Sequence, residues 1–393
     1  MAKLMLKDLD LKGKTVLMRA DFNVPQDANL NITDDTRIRS TLPTIKYILQ
    51  NGARKLVLMS HLGRPDGQVV GKYSLRPVAA RLAELLAMPV KFLNDCIGEN
   101  IKKEIQSSPE KVVLLENLRF HAEEEANNAD FAKQLASLGE VFVNDAFGTA
   151  HRAHASTEGV THYLESAAGF LLEKEIEYLG NAVVAPERPF MVILGGAKVS
   201  DKIGVIENLL PKCDAILIGG GMAYTFLKAQ GKSIGNSKLE KDKLDLAKSL
   251  LDKAKSLKKE IILPVDNVVV DNIQPDAKSE VTGENIPDGK IAVDIGPKTI
   301  KLFQDKLKSA KTIIWNGPLG IFEMDAFSIG TKEIAQFIGG LKAMTIICGG
   351  DTAAAIAKFK LEDKMAHIST GGGASLEYLE GKVLPGVAAL TDK

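Results

Sequence analysis

The stretch "FMVILGGAKVSDKIG" (Phe190–Gly204) decides how the chain is read. Five apolar residues with no polar alternation end at a glycine pair, and a lysine-bearing segment follows. A run this short and this apolar reads as a strand buried on both faces, which is the habit of parallel sheets covered by helices. The same grammar recurs along the chain. Apolar runs stand at Thr15–Val24, Lys55–His61, Val90–Leu93, Val112–Phe120 and Val141–Phe147, then at Ala215–Gly221, Ile261–Val270, Thr312–Pro318 and Thr345–Asp351. Between them, segments such as Ser74–Ala87 and Asp242–Leu257 repeat apolar residues at helical spacing. The expected fold class is α/β, with two doubly wound parallel-sheet (Rossmann-like) domains joined by a helical hinge.

The totals agree. At 393 residues the chain exceeds the size at which a single core stops growing. Charged residues make up 25% and the formal net charge is zero, so no whole-chain field draws it to nucleic acid or to a membrane surface. Three cysteines without a CxxC pair argue against a disulfide frame or a zinc site and fit a reducing compartment. No apolar stretch reads as a signal peptide or a membrane span, so the cytoplasm is the expected address and a monomer the expected state. Leu171–Phe190 begins as an amphipathic helix and ends in Gly180, Pro186 and Pro189, the marks of a helix followed by a connector. The boundaries expected are 1–172 for a first domain, 173–188 for hinge helix and connector, and 189–379 for a second domain.

Polar and glycine-rich residues gather where the strands end, the edge at which open α/β sheets bind ligands. Every arginine lies at or before Arg188. In the first half, Asp21 and Asn23 ("DFNVP"), His61 and Arg64 ("SHLGRP"), Arg119 ("ENLRF"), His151 and Arg152 ("GTAHRAH") and Arg37 at a helix start would converge if these tips meet. Guanidinium forks suit a small acid carrying phosphate and carboxylate. Taken singly, an arginine here reads as well as a surface ion pair, Asp21 as a turn cap, and either histidine as a hydrogen-bonded structural residue.

The second half lacks both the GxxxxGK[ST] phosphate loop and the GxGxxG dinucleotide fingerprint. It offers Lys198 and Lys202, whose spacing on a starting helix would put both ammonium groups on one face. The amides of Gly196 and Ala197 could approach a flat ring or a phosphate. Gly349 and Gly350 precede an alanine-rich helix whose free amides would face a phosphate. Asp351 reads either as that helix's cap or as a ligand for Mg²⁺, and Thr352 as a hydrogen-bond partner of a phosphate oxygen. "WNGPLGIFE" adds a bent loop whose Glu323 could take ribose hydroxyls.

"RADFNVP", "SHLGRPDG", "ENLRFH", "NDAFGTAHRAH", "GGAKVSDKI", "IGGGMAYTFLKA", "WNGPLGIFE", "GGDTAAA" and "STGGGASLEYLEGK" resemble, in order and spacing over essentially the whole chain, the phosphoglycerate kinase family. Cys348 stands where that family commonly has a third glycine. The resemblance implies reversible phosphoryl transfer from 1,3-bisphosphoglycerate to ADP, giving 3-phosphoglycerate and ATP with Mg²⁺. It implies a phosphoglycerate site at Asp21, Asn23, Arg37, His61, Arg64, Arg119 and Arg152. It implies a nucleotide site at Gly196, Ala197, Lys202, Gly220, Asn316, Pro318, Glu323, Gly349, Gly350, Asp351 and Thr352, with Asp351 serving the metal. Residues 380–393 should fold back on the first domain. An acyl phosphate passed to an ionised phosphate oxygen needs no general base, so His61 is expected to receive substrate rather than take a proton. Arg37, Lys198 and Lys202 are the expected catalytic cations, brought together by hinge closure that keeps water from the acyl phosphate. A dinucleotide-dependent dehydrogenase and a non-catalytic phosphometabolite sensor are the rival classes; the missing GxGxxG counts against the first.

Overall fold

The computed structural model describes residues 3–393. Contacts divide the chain into two compact units, one formed by residues up to Glu177 with Val383–Lys393, the other by Tyr178–Lys382.

The first unit is built on β1 (Thr15–Arg19), β2 (Lys55–Met59), β3 (Val90–Phe92), β4 (Val112–Leu114), β5 (Val141–Asn144) and β6 (Ser166–Ala168). They form one sheet in the order β3-β4-β2-β1-β5-β6, with every pairing parallel. Alternation within a strand feeds two cores. Val16, Met18, Leu56 and Leu58 pack on one face with Ile38 and Ile45, and Leu17, Val57 and Met59 pack on the other with Phe131 and Leu135. Burial on both faces, at about 1.5–3 kcal/mol for each large apolar side chain, explains why these runs contain no polar beat.

The last residues add to this unit. Thr391 N–H donates to Ser166 O (3.1 Å), Leu4 N–H to Thr391 O (2.8 Å), and Asn144 Nδ2 to Gly386 O (3.0 Å). The helix Phe170–Val184 starts where Asp145 Oδ1 accepts the N–H groups of Leu171 (2.8 Å) and Leu172 (3.2 Å).

The second unit carries β7 (Phe190–Leu194), β8 (Ala215–Ile218), β9 (Glu260–Ile262), β10 (Asp266–Val270), β11 (Glu280–Gly283), β12 (Ile291–Ile295), β13 (Thr312–Asn316), β14 (Met344–Cys348) and β15 (His367–Ile368). Its main sheet is again all parallel, ordered β15-β14-β13-β7-β8-β9. The α/β expectation holds, with one addition: a separate antiparallel sheet, β11-β10-β12. The apolar run Ile261–Val270 breaks into β9 and β10 at Pro264, which has no N–H for a ladder. Thr299 Oγ1 then accepts from Val265 (3.0 Å) and Asp266 (3.1 Å) and turns the chain out of the main sheet.

Asp294, on β12, is buried, and among the described residues no cation stands at its carboxylate. Its oxygens accept from Ile295 N (2.9 Å) and Gly330 N (2.7 Å), and burial raises its pKa to about 7. Between roughly pH 4 and pH 7 the folded chain therefore holds a proton that the unfolded chain has lost. Stability from this group is complete below its unfolded pKa and falls as pH rises towards the folded value, by at most about 1.4 kcal/mol per pH unit. Asp294→Asn should flatten the decline in urea midpoint between about pH 4 and pH 7, at lower stability on the acid side where an acceptor is lost. Parallel pH profiles for the two proteins would remove Asp294 as the cause.

Candidate functional site

In each sheet the first strand of the unit lies between strands reached in opposite directions, β1 between β2 and β5, and β7 between β8 and β13. The loops leaving the carboxyl ends of such a pair diverge and open a crevice.

In the first unit three loops lock together there. Asp21 follows β1, and its Oδ2 is paired with Arg37 Nη1 from the first turn of the helix Thr36–Gln50. Asn23 Oδ1 accepts from Gly63 N (2.9 Å), and Arg119 Nη1 donates to Gly63 O (3.0 Å). Gly63 has φ +65°, and a Cβ there would stand 2.3 Å from the Tyr73 ring, so the "SHLGRP" tip requires glycine. Phe22 N–H donates to Ser60 Oγ (2.9 Å), which closes the β1 loop against the β2 loop.

His61 is not a free-standing donor at this edge. It is 4% exposed, and its Nδ1 lies 3.1 Å from Arg19 Nη2. A guanidinium can only donate, so Nδ1 accepts and the imidazole proton sits on Nε2. Burial, then the charges of Arg19, Arg119 and Arg37, holds its pKa well below the ordinary histidine value. At neutral pH His61 is uncharged, with one donor, Nε2–H.

Arg19 was absent from the sequence expectation. It ends β1 fully buried, with Nε donating to Ser156 Oγ (2.9 Å) and Nη1 to Ala20 O. Ser156 in turn donates through N (2.9 Å) and Oγ (2.5 Å) to Glu124, also fully buried. The legible sign was a charge ending an otherwise apolar strand, "TVLMR". Arg119 and Arg152 share Glu125, at 3.3 Å from Arg119 Nε and 3.8 Å from Arg152 Nη1. The Glu125 oxygen lies off the line of the Arg119 N–H, which leaves that buried donor unbonded. Arg152 Nε contacts His151 Nε2 at 3.2 Å. Arg64 is exposed beside them, close enough to lower the pKa of Arg119. Five arginines (19, 37, 64, 119, 152) thus face three carboxylates (Asp21, Glu124, Glu125), an excess of two positive charges. Such a group is built for an anion.

In the second unit, a cleft of about 380 Å³ is lined by Gly195, Gly196, Ala197, Lys198, Asp201, Lys202, Asn316, Gly317, Gly349, Gly350, Asp351, Thr352, Gly372, Gly373 and Leu376. A Cβ on Gly195 would fall 2.1 Å from Pro318 O, so the β7 and β13 loops touch backbone to backbone. Lys202 Nζ is bound to Asn316 Oδ1, and burial lowers its pKa against the pull of Asp201, Cys348, Asp351 and Glu380.

Lys198 and Lys202 do not share a helix. The helix spans Ile203–Leu209, and Lys202 is only its cap residue. Glu240 accepts from Val199 N (2.5 Å), Ser200 N (3.2 Å) and Ser200 Oγ (2.6 Å), and so holds the lysine segment as a turn. Lys198 is exposed at the cleft.

Asp351 does not cap its helix. Gly349 is the cap residue at φ +86°, the helix runs Gly350–Lys358, and Asp351 projects, exposed, from its first turn. Thr352 Oγ1 accepts from Gly317 N (2.7 Å), keeping its own proton to donate. Gly220 and Pro318 stand behind the cleft wall, where Gly196 N–H donates to Pro318 O (2.9 Å) and Gly220 N–H to Leu319 O (3.0 Å). Glu323 lies on an exposed loop outside the lining.

A larger cavity of about 700 Å³ opens at the opposite, amino ends of the first sheet's strands. Its Lys55 Nζ is tied to the Ser108 carbonyl (2.6 Å) and its Arg54 to Glu140 (2.7 Å), and it lies away from the edge where such sheets bind ligands.

A family profile described as "Phosphoglycerate kinase" matches residues 6–382. Over 393 residues the chain is 58% identical to "Phosphoglycerate kinase 3, cytosolic" of Arabidopsis thaliana, covering 98% of each. It is 57% identical over 399 residues to the phosphoglycerate kinase of Pelodictyon phaeoclathratiforme, covering 100% of each. Among solved structures, that of phosphoglycerate kinase from Coxiella burnetii matches with a TM-score of 0.92 at 44% identity, over 98% of each chain. That of the Pyrococcus horikoshii enzyme matches with a TM-score of 0.84 at 33% identity, again over 98% of each.

Proposed function

The chain belongs to the phosphoglycerate kinase family, and from that premise we propose how its two units divide the reaction. The first unit takes 3-phosphoglycerate or 1,3-bisphosphoglycerate, and the second takes ADP or ATP. The observation that carries this is the excess of arginine over carboxylate around Asp21 and His61, which asks for a ligand with at least two negative charges.

Within the first unit, Arg64, Arg119 and Arg152 hold the acid's anionic groups, Asn23 and the Asp21 carboxylate take its hydroxyl or ester groups, and neutral His61 donates from Nε2. Arg37 keeps its guanidinium at the reacting end. In the second unit the amide of Ala197 meets the base or a phosphate, Gly196 lines the wall with its own N–H given to Pro318 O, Gly349 and Gly350 offer N–H groups to the phosphates, and Thr352 donates its hydroxyl proton. Asn316 positions Lys202, Gly220 and Pro318 shape the wall, and Glu323, on its exposed loop, takes ribose hydroxyls.

Asp351 presents an exposed carboxylate on the helix turn beside these amides, a hard oxygen donor that fits Mg²⁺ carried with nucleotide phosphates. When bound, that ion neutralises phosphate charge. The attacking ADP oxygen is already ionised, so no residue need remove a proton. What the chain supplies is alignment and positive charge on the moving phosphoryl oxygens, from Arg37 and Lys198. Because the two substrates are held on different units, the chemistry requires the units to close for transfer and to exclude water from the acyl phosphate. Each unit carries its donor set within one chain, so a single copy suffices. The name of the Arabidopsis relative supports a cytosolic address; among the described residues no helix is long and apolar enough to cross a membrane.

The decisive assay couples ADP formation to a chromogenic reaction with ATP and 3-phosphoglycerate as substrates. Turnover that needs both substrates is expected; tight binding of both without turnover would make the chain a sensor. Lys198→Ala should cut kcat by roughly 10²–10³-fold, as removal of one preorganised charge donor does elsewhere. ADP affinity by calorimetry should change only a few-fold, since Lys198 is aimed at the moving group. Lost ADP binding with unchanged single-turnover chemistry would assign Lys198 to the nucleotide alone.

A further inference from the structure

The sequence has no CxxC pair, yet the fold gathers metal-ligand atoms that the spacing conceals. The loop after β3 carries Asp95 and Cys96, and His121 closes the 3-10 turn Leu118–Phe120. One ligand atom from each of the three lies within 4.8 Å of the other two.

The donor types are the first consideration. A thiolate, an imidazole and a carboxylate suit zinc and its borderline-soft relatives, whereas Mg²⁺ prefers oxygen throughout. Spacing is the second. Asp95 Oδ1 sits 2.7 Å from His121 Nε2, a hydrogen bond that an ion would replace with two of its own. At metal bonds of roughly 2.0–2.1 Å and a tetrahedral angle, those two atoms stand roughly 3.3 Å apart, so the pair opens by only about half an ångström. The Cys96 amide already steadies Asp95 Oδ1 at 2.7 Å, and the His121 ring lies against Phe131 with centroids 5.3 Å apart.

Charge and access point the same way. Asp95, Glu116 and Glu124 act on the Cys96 thiol, and Asp95 and Glu123 on His121, a negative neighbourhood that favours a cation. Cys96 is fully buried, while the side chains of Asp95 and His121 are 49% and 27% exposed. An ion can enter from the carboxylate and imidazole and meet the sulfur at the dry end.

We propose that Asp95, Cys96 and His121 form a site for a zinc-class divalent cation, distinct from any ion carried with the nucleotide. The chain supplies three ligands and water the fourth. Binding sends the thiol proton of Cys96 to solvent and requires the His121 proton that faces Asp95 to leave Nε2, the imidazole then carrying its proton on Nδ1. The ion ties the loop after β3 to the turn that bears Arg119, whose Nη1 holds Gly63 O, and so stiffens the anion site from behind.

The test uses the full chain, stripped by chelator and titrated with Co²⁺ alone. One ion per chain is expected, with a thiolate-to-cobalt charge-transfer band in the near ultraviolet. Cys96→Ser should abolish the band, whereas Cys213→Ser and Cys348→Ser should retain it. His121→Gln should weaken Co²⁺ binding by at least about 10-fold, since loss of a mere outer partner of a ligand costs that much. Should Cys96→Ser fail to fold, the part-exposed Asp95→Asn carries the test, with a similar loss of affinity expected. Absence of the band at a large excess of Co²⁺ overturns the site. So does a band that survives Cys96→Ser, or one that is indifferent to both His121→Gln and Asp95→Asn; the three residues would then form only a loop clamp around an apolar thiol.

Discussion

Arg37→Ala should lower kcat by roughly 10²–10³-fold while raising KM for 3-phosphoglycerate only a few-fold, because the charge it removes matters most when the phosphoryl group is in flight. The geometry argues for this division. Arg37 sits in the first turn of its helix with its side chain 37% exposed, and Nη1 is committed to Asp21. A guanidinium has five N–H donors, so the remaining ones are free to meet an oxyanion without breaking that pair. Arg64, Arg119 and Arg152 remain to bind the ground-state acid. Some loss of folding stability is expected as well, because the buried Asp21 carboxylate loses its partner. Arg37→Lys tests the fork: a point charge should restore only part of the rate, since it cannot hold Asp21 and a phosphoryl oxygen together. Steady-state kinetics with saturating ATP decides the matter. A large rise in KM with kcat near normal would move Arg37 into the binding group and leave Lys198 as the transfer cation.

Arg19→Met carries the largest expected cost to the fold, about 3–5 kcal/mol, read as a fall in urea midpoint. The substitution preserves much of the volume but strands Glu124, which is fully buried and whose pKa is already pushed up by burial against the pull of Arg19. It also frees His61 from the contact that fixes its tautomer. Adding Glu124→Gln to Arg19→Met should recover a substantial part of the loss, because the cost is mainly that of an unpaired buried charge. If the double variant is no more stable than the single, the penalty comes from packing.

The strands that were legible are the apolar ones: β1, β2, β3, β4, β5, β7, β8 and β13 fall inside the runs singled out above, and β14 does so except for its first residue, Met344. Of those that were not, two are short or built from small residues. β6 is Ser-Ala-Ala, which no hydrophobic pattern distinguishes from a turn, and β15 is two residues long. Both are held at a sheet edge by neighbours distant in sequence. The split of β9 from β10 was marked by Pro264, but its destination, a second sheet, depends on the Thr299 hydroxyl and could not be read locally.

The anion site shows the same limit. Arg37, Arg64, Arg119 and Arg152 stood out as residue types at strand tips or a helix start, whereas Arg19 and Glu124 are ordered by each other's burial, a property of the assembled unit. His61 was expected to receive substrate rather than take a proton, but its neutrality and tautomer follow from burial and Arg19. The lysine pair was expected on a helix because four-residue spacing suggests one. Glu240, some forty residues on, overrides that local preference by taking the amides of Val199 and Ser200 and holding the segment as a turn.

The return of Val383–Lys393 to the first unit has a consequence for how the protein is made. The second unit is one unbroken stretch of chain and has all its residues once Lys382 has been synthesised. The first unit, though begun earliest, then still lacks the partners of Ser166, Asn144 and Leu4. Its earliest residues must wait for the latest, across a loop that spans the whole second unit, and such distant pairings are the slow ones. The unit that emerges first from the ribosome is therefore the one finished last.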